Sequence, residues 1–399
     1  MKHWLLSVLL VVCGTVSAQI TLVKDGKSSA RIIVQDKMPN SKTSAQFLQR
    51  FLTEISGVAL PIENDKTPRK GDILIGGQSS AEVTEDGFSI STQDGILKIS
   101  GKENGVVYGV VTLLEQYLGI NYWGENEYSL TPSKTVNLPF INKVENPGFR
   151  YRQTQCYAIH TDSIYKWWNR LEEPNEVFAA GYWVHTFDKL LPSSIYGKEH
   201  PEYYSYFKGK RHPGKASQWC LSNPEVFEIV AQRVDSIFKA NPDKHIMSVS
   251  QNDGNYTNCT CDACKAIDDY EGALSGSIIT FLNKLAARFP DKEFSTLAYL
   301  YTMNPPKHVK PLPNVNIMLC DIDCDREVTL TENASGKEFV KAMEGWSKIT
   351  NNIFVWDYGI NFDNYLAPFP NFHILQDNIR LFKKNHATMH FSQIAGSRG

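Results

Sequence analysis

Four aspartates stand where short apolar runs give way to polar residues, and each is placed to do acid–base chemistry. Asp253 closes Val249-Ser250-Gln251-Asn252-Asp253-Gly254, Asp321 and Asp323 flank Ile322, and Asp357 lies between Trp356 and Tyr358. A carboxyl group beside an amide can protonate a leaving oxygen while the amide, Asn252, hydrogen-bonds a hydroxyl or acetamido group. If a strand continues through Asp321 and Asp323, alternation puts both on one side, where two carboxylates raise one another's pKa. Asp357 sits among Trp356, Tyr358, Asn361, Phe362 and Tyr365, a combination that suits a sugar ring stacked on aromatic faces with its hydroxyls bonded to a carboxylate. Trp183-Val184-His185 and Gln218-Trp219 add further polar and aromatic groups.

The candidate acid is therefore Asp253, with Asp357, Asp321 or Asp323 as second carboxylate. Candidate substrate contacts are Asn252, His185, Trp183, Trp219, Trp356, Tyr358 and Asn361. Two carboxyls about 5 to 5.5 Å apart would fit a retaining glycosidase and about 6.5 to 9.5 Å an inverting one, whereas no pair facing one cleft favours glycan binding alone. The bland readings are an Asp that caps a loop before a glycine, carboxylates that bind a cation, and a structural histidine.

The cysteines pose a separate question. Cys259-Thr-Cys261-Asp-Ala-Cys264 puts three sulfurs in six residues. They can share one tetrahedral ion with Cys320 or Cys324 as fourth ligand, which would be a structural zinc, or they can form a local disulfide alongside a longer one. Both remain open, and no other cofactor is expected.

Positioning such groups requires a scaffold. After Pro147 the chain repeats strand, loop and helix, with expected strands at 149–157, 182–187, 218–221, 246–250, 294–300, 315–319, 353–357 and 387–392. Eight units imply an α/β fold, a (β/α)8 TIM-type barrel over 147–399, whose chemistry belongs at the carboxyl ends of the strands. Ser222-Asn223-Pro224 reads as a helix start, with Val226, Phe227, Val230, Val234 and Phe238 on its buried face. The chain ends seven residues after the eighth strand, so the barrel is expected to lack its last helix. Residues 19–146 read as a small α+β domain with strands at 30–35 and 72–76, a helix over 44–55, a hairpin around Asp94-Gly95 and a helix from Gly105 to Tyr117.

Residues 1–18 read as a signal peptide: Lys2, an apolar run from Leu5 to Val12, and Ser17-Ala18 before the cleavage point. A mature chain from Gln19, secreted or periplasmic, is expected, and no later segment is long and apolar enough to span a membrane. Basic and acidic residues nearly balance, 41 against 43, leaving no field for a phosphate backbone, so nucleic acid is excluded as a partner and carbohydrate is favoured. Aromatics make up 12% of the chain, with 18 Tyr and 8 Trp, in keeping with stacking on sugar faces.

Two sets of motifs carry a resemblance. Asp86-Gly87-Phe88, Asp94-Gly95, Ile99-Ser100-Gly101 and Tyr108-Gly109-Val110 followed by Leu114-Glu115 and Leu118-Gly119 look like the chitobiase/alpha-glucuronidase-like accessory domain of several glycoside hydrolase families. His200-Pro201-Glu202-Tyr203-Tyr204, Cys220-Leu221-Ser222-Asn223-Pro224-Glu225-Val226, Ser250-Gln251-Asn252-Asp253, the Cys259–Cys264 run, Val355-Trp356-Asp357-Tyr358 and Pro368-Phe369-Pro370-Asn371 resemble the barrels of the domain of unknown function 4838 (DUF4838). The resemblance implies glycoside-hydrolase ancestry and a carbohydrate context. A Glu-Gln pair is expected at the end of the eighth strand, where this chain has Ser392-Gln393.

Overall fold

The computed structural model describes residues 20–35 and 40–395. The expected signal peptide and Gln19 lie outside the described residues. The chain divides into two compact units, Met1–Pro147 and Gly148–Gly399. No helix among the described residues is long and apolar enough to cross a membrane.

The first unit carries a six-stranded mixed sheet in the order Asn142–Glu145, Phe88–Ser91, Leu97–Gly101, Ile73–Ile75, Ile32–Val34 and Ile62–Asn64. A helix over Ser41–Ser56 buries Phe47, Leu48, Phe51, Leu52 and Ile55, and ends at Gly57 with φ 76°, a conformation glycine adopts at little cost. The hairpin turns through Asp94 and Gly95, both at positive φ. The helix Gly105–Thr112 continues as a π turn over Leu113–Tyr117. At Gly105 a Cβ would stand 1.9 Å from the Gly87 carbonyl oxygen, so only glycine lets the helix begin against that loop.

The second unit is built on six parallel strands: β1 (Tyr151–Thr154), β2 (Ile246–Ser248), β3 (Glu293–Ala298), β4 (Val315–Cys320), β5 (Ile353–Tyr358) and β6 (Ala387–Gln393). Their order is β1-β6-β5-β4-β3-β2, the first and the fourth to eighth units of the expected barrel, so the described residues form a parallel half-barrel sheet. Helices α1 (Pro224–Ala240), α2 (Asp262–Glu271), α3 (Gly276–Arg288), α4 (Ala334–Ser347) and α5 (Phe372–Lys384) are the principal helices of the unit. Asn223 caps α1 by accepting from the Glu225 N–H at 2.9 Å, and proline at the first helical position needs no partner for a missing N–H.

The expected second and third strands do not form. Between Phe178 and Phe187 the chain runs beside β2, with a single parallel bridge from Phe178 to Ile246 and the Ser248 N–H donating to Tyr182 O at 2.7 Å. Ala180, Gly181 and Val184 have φ of 50°, 64° and 49°, which breaks an extended run. Residues 218–221 pair locally and antiparallel, through the Tyr204–Trp219 bridge and bonds from Ser205 N–H to Gln218 O and from Cys220 N–H to Tyr203 O. Their backbone groups are satisfied within that loop rather than by a neighbouring barrel strand.

Register sorts the sheet into two faces. On the inner face Leu297, Met318, Phe354, Met389 and Tyr151 form one row, and Cys320, Trp356, Phe391 and Gln153 the next, each aligned with its neighbour across the ladder. Most of these side chains form one buried cluster, which Phe178 and Ile246 join. On the outer face Val315, Ile317, Leu319, Ile353 and Val355 pack with residues of the helices, among them Phe281, Leu282, Met343, Trp346 and Phe382.

Candidate functional site

Strand parity decides which of the candidate residues share a surface. Trp356 and Tyr358 lie on the inner face of β5, with Phe354, at the carboxyl end of the half-barrel. Trp356 donates Nε1–H to Gln393 Oε1 at 3.0 Å, so the residue standing where the family's Glu-Gln pair is expected anchors an indole. Trp183 packs with its ring centroid 6.0 Å from Trp356 and 4.8 Å from Phe391. Tyr358 stacks on Trp356 at 5.3 Å, Phe362 follows at 5.8 Å and Tyr365 at 6.1 Å from Phe362. Exposure rises along this run, from 4% at Tyr358 to 42% at Phe362 and 56% at Tyr365. The aromatic run therefore leads from the floor of the sheet to solvent.

His185 joins the same cluster, 6.3 Å from Trp356 and 5.9 Å from Tyr299 between ring centroids. Its Nδ1–H is directed at the Gln251 carbonyl oxygen, 2.7 Å away, which makes Nε2 the acceptor of the neutral ring. The neighbouring Val184, a β-branched residue in the left-handed region, holds Trp183 and His185 in a strained turn. Asp253 is exposed and accepts a hydrogen bond from the Tyr299 hydroxyl at 3.4 Å. Burial, then the charge of Asp253, and more weakly that of Asp323, push the Tyr299 phenol above its ordinary range. Asp253 and Asp323 are both exposed, and Asp253 is the one in hydrogen-bond contact with the phenol. Tyr299 carried no signal in the sequence, because a tyrosine after an apolar strand is unremarkable.

Asp321 and Asp357 occupy a different environment. Asp357 has the parity of Val355 and so lies on the opposite face of β5 from Trp356 and Tyr358, which corrects the aromatic frame expected around it. β4 ends at Cys320, and the Cys324 N–H turns back to the Asp321 carbonyl. Asp321 is consequently buried while Asp323 is exposed, and the two do not share a strand face. The Arg326 guanidinium bonds both the Asp321 carboxylate and the Asp321 carbonyl and stands 3.9 Å from Asp357, with His390 Nε2 3.8 Å from the same carboxylate. Burial and the charge of Asp357 push Asp321 well above the ordinary carboxylate range. Burial also opposes ionisation of Asp357, but His390 and Arg326 outweigh it and hold that group below its usual value. The two carboxyl groups are thus shifted in opposite directions, as expected for acids buried side by side.

Three other expected contacts lie away from the aromatic run or are already engaged. The Asn252 carboxamide is buried, accepting from Asp188 N–H at 2.9 Å and donating to Ser217 O at 2.7 Å, so it ties loops together. Trp219 is 1% exposed and stacks on Phe187 at 3.7 Å within the outer core. Asn361 is exposed, its side chain accepting from Asp363 N–H at 2.9 Å in a local turn. A side-chain amide also brackets Asn252: Gln218 Oε1 accepts from its N–H at 2.9 Å, and Gln218 Nε2 donates to its carbonyl at 3.0 Å and to Thr257 Oγ1 at 3.1 Å.

The sulfurs of Cys259, Cys261 and Cys264 do converge, and the fourth member is Cys220 rather than Cys320 or Cys324. No sulfur–sulfur bond joins the seven described cysteines in this structure. Cys320 belongs to the inner sheet cluster. Burial pushes the Cys324 thiol up to about 12. A cavity of about 650 Å³ opens beside Arg326, lined also by Cys324 and Glu327 from the loop that follows β4 and by Phe369, Asn371 and His373 from the segment that follows β5.

Several solved structures are similar to this chain. The N-acetyl-beta-hexosaminidase of Streptomyces plicatus, solved with Thio-NAglucal, is 9% identical with a TM-score of 0.50, covering 95% of this chain and 83% of its own. The beta-N-acetylhexosaminidase of Bacteroides fragilis is 10% identical with a TM-score of 0.47, over 87% of this chain and 77% of its own. A GH138 enzyme targeting pectin rhamnogalacturonan II is 11% identical with a TM-score of 0.49, over 92% of this chain and 46% of its own. At these identities the likeness concerns the fold alone. No curated protein matches the sequence. The model of the domain of unknown function DUF4838 matches residues 122–398, the greater part of the chain including the whole half-barrel, and the protein belongs to that family.

Proposed function

We propose that this protein is a carbohydrate-active enzyme, a glycoside hydrolase that works at the carboxyl-end rim of the half-barrel with Asp253 as general acid. One observation carries the reading: an exposed carboxylate, hydrogen-bonded by Tyr299, stands beside an aromatic run that passes from Trp183 through Trp356 and Tyr358 to solvent. The rings offer stacking faces to a pyranose, and the carboxyl group supplies the proton a departing sugar oxygen needs. Asp323 is the second carboxylate of this scheme, because it is the other exposed member of the candidate set, whereas Asp321 and Asp357 are engaged by Arg326 and His390. His185 Nε2 would accept from a substrate hydroxyl. The hexosaminidase of Streptomyces plicatus offers a precedent for glycan chemistry on this fold. The same reading has the leader removed after Ala18 and the mature chain exported, which N-terminal sequencing checks.

Asp253→Asn preserves shape and removes the proton. General acid catalysis contributes roughly 10²- to 10⁴-fold, so release of reducing ends from a panel of plant and host polysaccharides should fall by about that factor. Nitrophenyl glycosides, whose leaving group needs little protonation, should be affected much less. Unchanged turnover on natural glycans would remove Asp253 from this role.

The burial of Asp321 and Asp357 on the helix-facing side favours a second reading, a glycan-binding protein without turnover. That reading predicts saturable binding of a polysaccharide, weakened by Trp356→Ala, with no reducing ends released.

A further inference from the structure

Behind the rim, the sulfurs of Cys220, Cys259, Cys261 and Cys264 all lie within 4.8 Å of one another, with Cys220 3.6 Å from Cys261 and 4.0 Å from Cys264. Four thiolates bound to one zinc ion at about 2.3 Å in a tetrahedron stand about 3.8 Å apart, whereas a disulfide brings two sulfurs to ~2.05 Å. The surroundings suit negative sulfur. Cys259 Sγ accepts from the Tyr206 backbone N–H at 3.3 Å and from the Arg211 guanidinium at 3.6 Å. The Ser222 hydroxyl lies 3.1 Å from Cys264 Sγ and 3.5 Å from Cys220 Sγ. Cys261 is the N-cap of α2 and Cys264 lies in its first turn, where the helix dipole favours negative charge. Cys220, Cys259 and Cys264 are buried, which leaves little room for a water or substrate ligand.

From this geometry we propose that Cys220, Cys259, Cys261 and Cys264 hold one structural zinc ion in a closed tetrathiolate site. Binding converts four thiols to thiolates and releases their protons to solvent; no electron is transferred. The ion would join two loops that the sheet leaves unconnected, the one carrying Gln218 and Cys220 and the one running from Asn252 to Cys264. Gln218 already brackets Asn252, so the metal would fix that pair two residues away from one of its ligands. This inference is independent of the hydrolase reading, because metal content is measured whether or not a glycan is cleaved.

The test is elemental analysis of the full chain purified without chelator, combined with thiol alkylation under denaturing conditions in the presence of chelator. One zinc per chain is expected, with all four cysteines alkylated. Cys220→Ser and Cys264→Ser should bring zinc to background, whereas Cys156→Ser and Cys324→Ser should retain it. If the first two variants do not fold, the wild-type chain serves instead: titration with an organomercurial should release one zinc ion to a metallochromic dye as the four thiols react. A chain with no metal, a mass reduced by disulfides among these four cysteines, or iron in place of zinc would each overturn the proposal.

Discussion

The regular and irregular sides of the second unit are held together by different physics. From β3 to β6 and on to β1, neighbouring strands share parallel ladders, with one register shift between Ile353 and Phe354, and the inner rows place Leu297, Met318, Phe354 and Met389 side by side. From Gln155 to Leu221 the chain has no strand in that sheet. Its hydrogen bonds to β2 are few, from the Ser248 N–H to Tyr182 O, from Thr186 Oγ1 to Ser248 O and from Ser248 Oγ to Val184 O, and side-chain amides such as Gln218 and Asn252 tie it to the loop beyond. The floor combines apolar rows with strand ladders, whereas the arc buries Phe178, Phe187, Leu190, Leu191 and Trp219 but ties its backbone down at a few directional points. Of the groups proposed for chemistry, half-buried His185 and exposed Asp253 belong to the arc and the loop it supports, while Trp356 and Tyr358 belong to the floor and Asp323 to the loop that follows β4.

The largest expected effect breaks the floor. Phe354 is fully buried and meets Tyr151 edge-on at 5.7 Å, so Phe354→Ala should cost about 3 to 5 kcal/mol in urea denaturation. A smaller loss is expected on the arc. Asn252→Ala leaves the Asp188 N–H and the Ser217 carbonyl without their side-chain partner, at about 1 to 3 kcal/mol, because each lost bond strands a buried polar group. Equal losses at the two sites would remove the distinction between apolar floor and polar arc.

The smallest effect is a pH dependence at the helix that follows the Cys loop. Asp268 donates nothing to the floor; its carboxylate accepts from Ser277 N–H at 2.8 Å, and burial pushes its pKa up to about 6. An unfolded chain releases that proton near pH ~3.9. Between about pH 4 and 6 the folded chain therefore binds more protons than the unfolded one, and stability falls as pH rises through that window before levelling off. Asp268→Asn should escape this loss, so its melting temperature relative to wild type should climb from pH ~4 to pH ~6.5. Parallel profiles for the two proteins would mean that the carboxyl group is not perturbed.

The floor was legible because its strands are apolar runs of strand length at regular spacing, and Trp356 and Tyr358 were placed by the same pattern. The arc was not. Val184 reads as a strand former, yet its backbone is left-handed, and local pairing of 217–220 with 203–205 competes with barrel pairing in a way periodicity does not register. Asp357 was misplaced relative to Trp356 because adjacent residues on a strand face opposite ways. Asn252 looked like a rim amide, but its hydrogen bonds come from loops distant in sequence. Cys220 went unassigned to the sulfur cluster for the same reason: Cys259, Cys261 and Cys264 announce themselves by spacing, and a single cysteine far upstream does not. Arg326 and His390, which engage Asp321 and Asp357, are likewise visible only once β4, β5 and β6 are side by side.

The bracket that Gln218 forms around Asn252 uses a carboxamide in place of a backbone neighbour, donating and accepting as a peptide group would. A strand partner fixes many residues at once, and a length change within it shifts every side chain that follows by one face. A side-chain bracket grips a single point. Surface segments between such points, for example 207–210, where no residue is buried, can therefore change in length or sequence without disturbing the rows beneath. Natural variation in what the rim recognises can then accumulate on one flank of the molecule while the other is inherited unchanged.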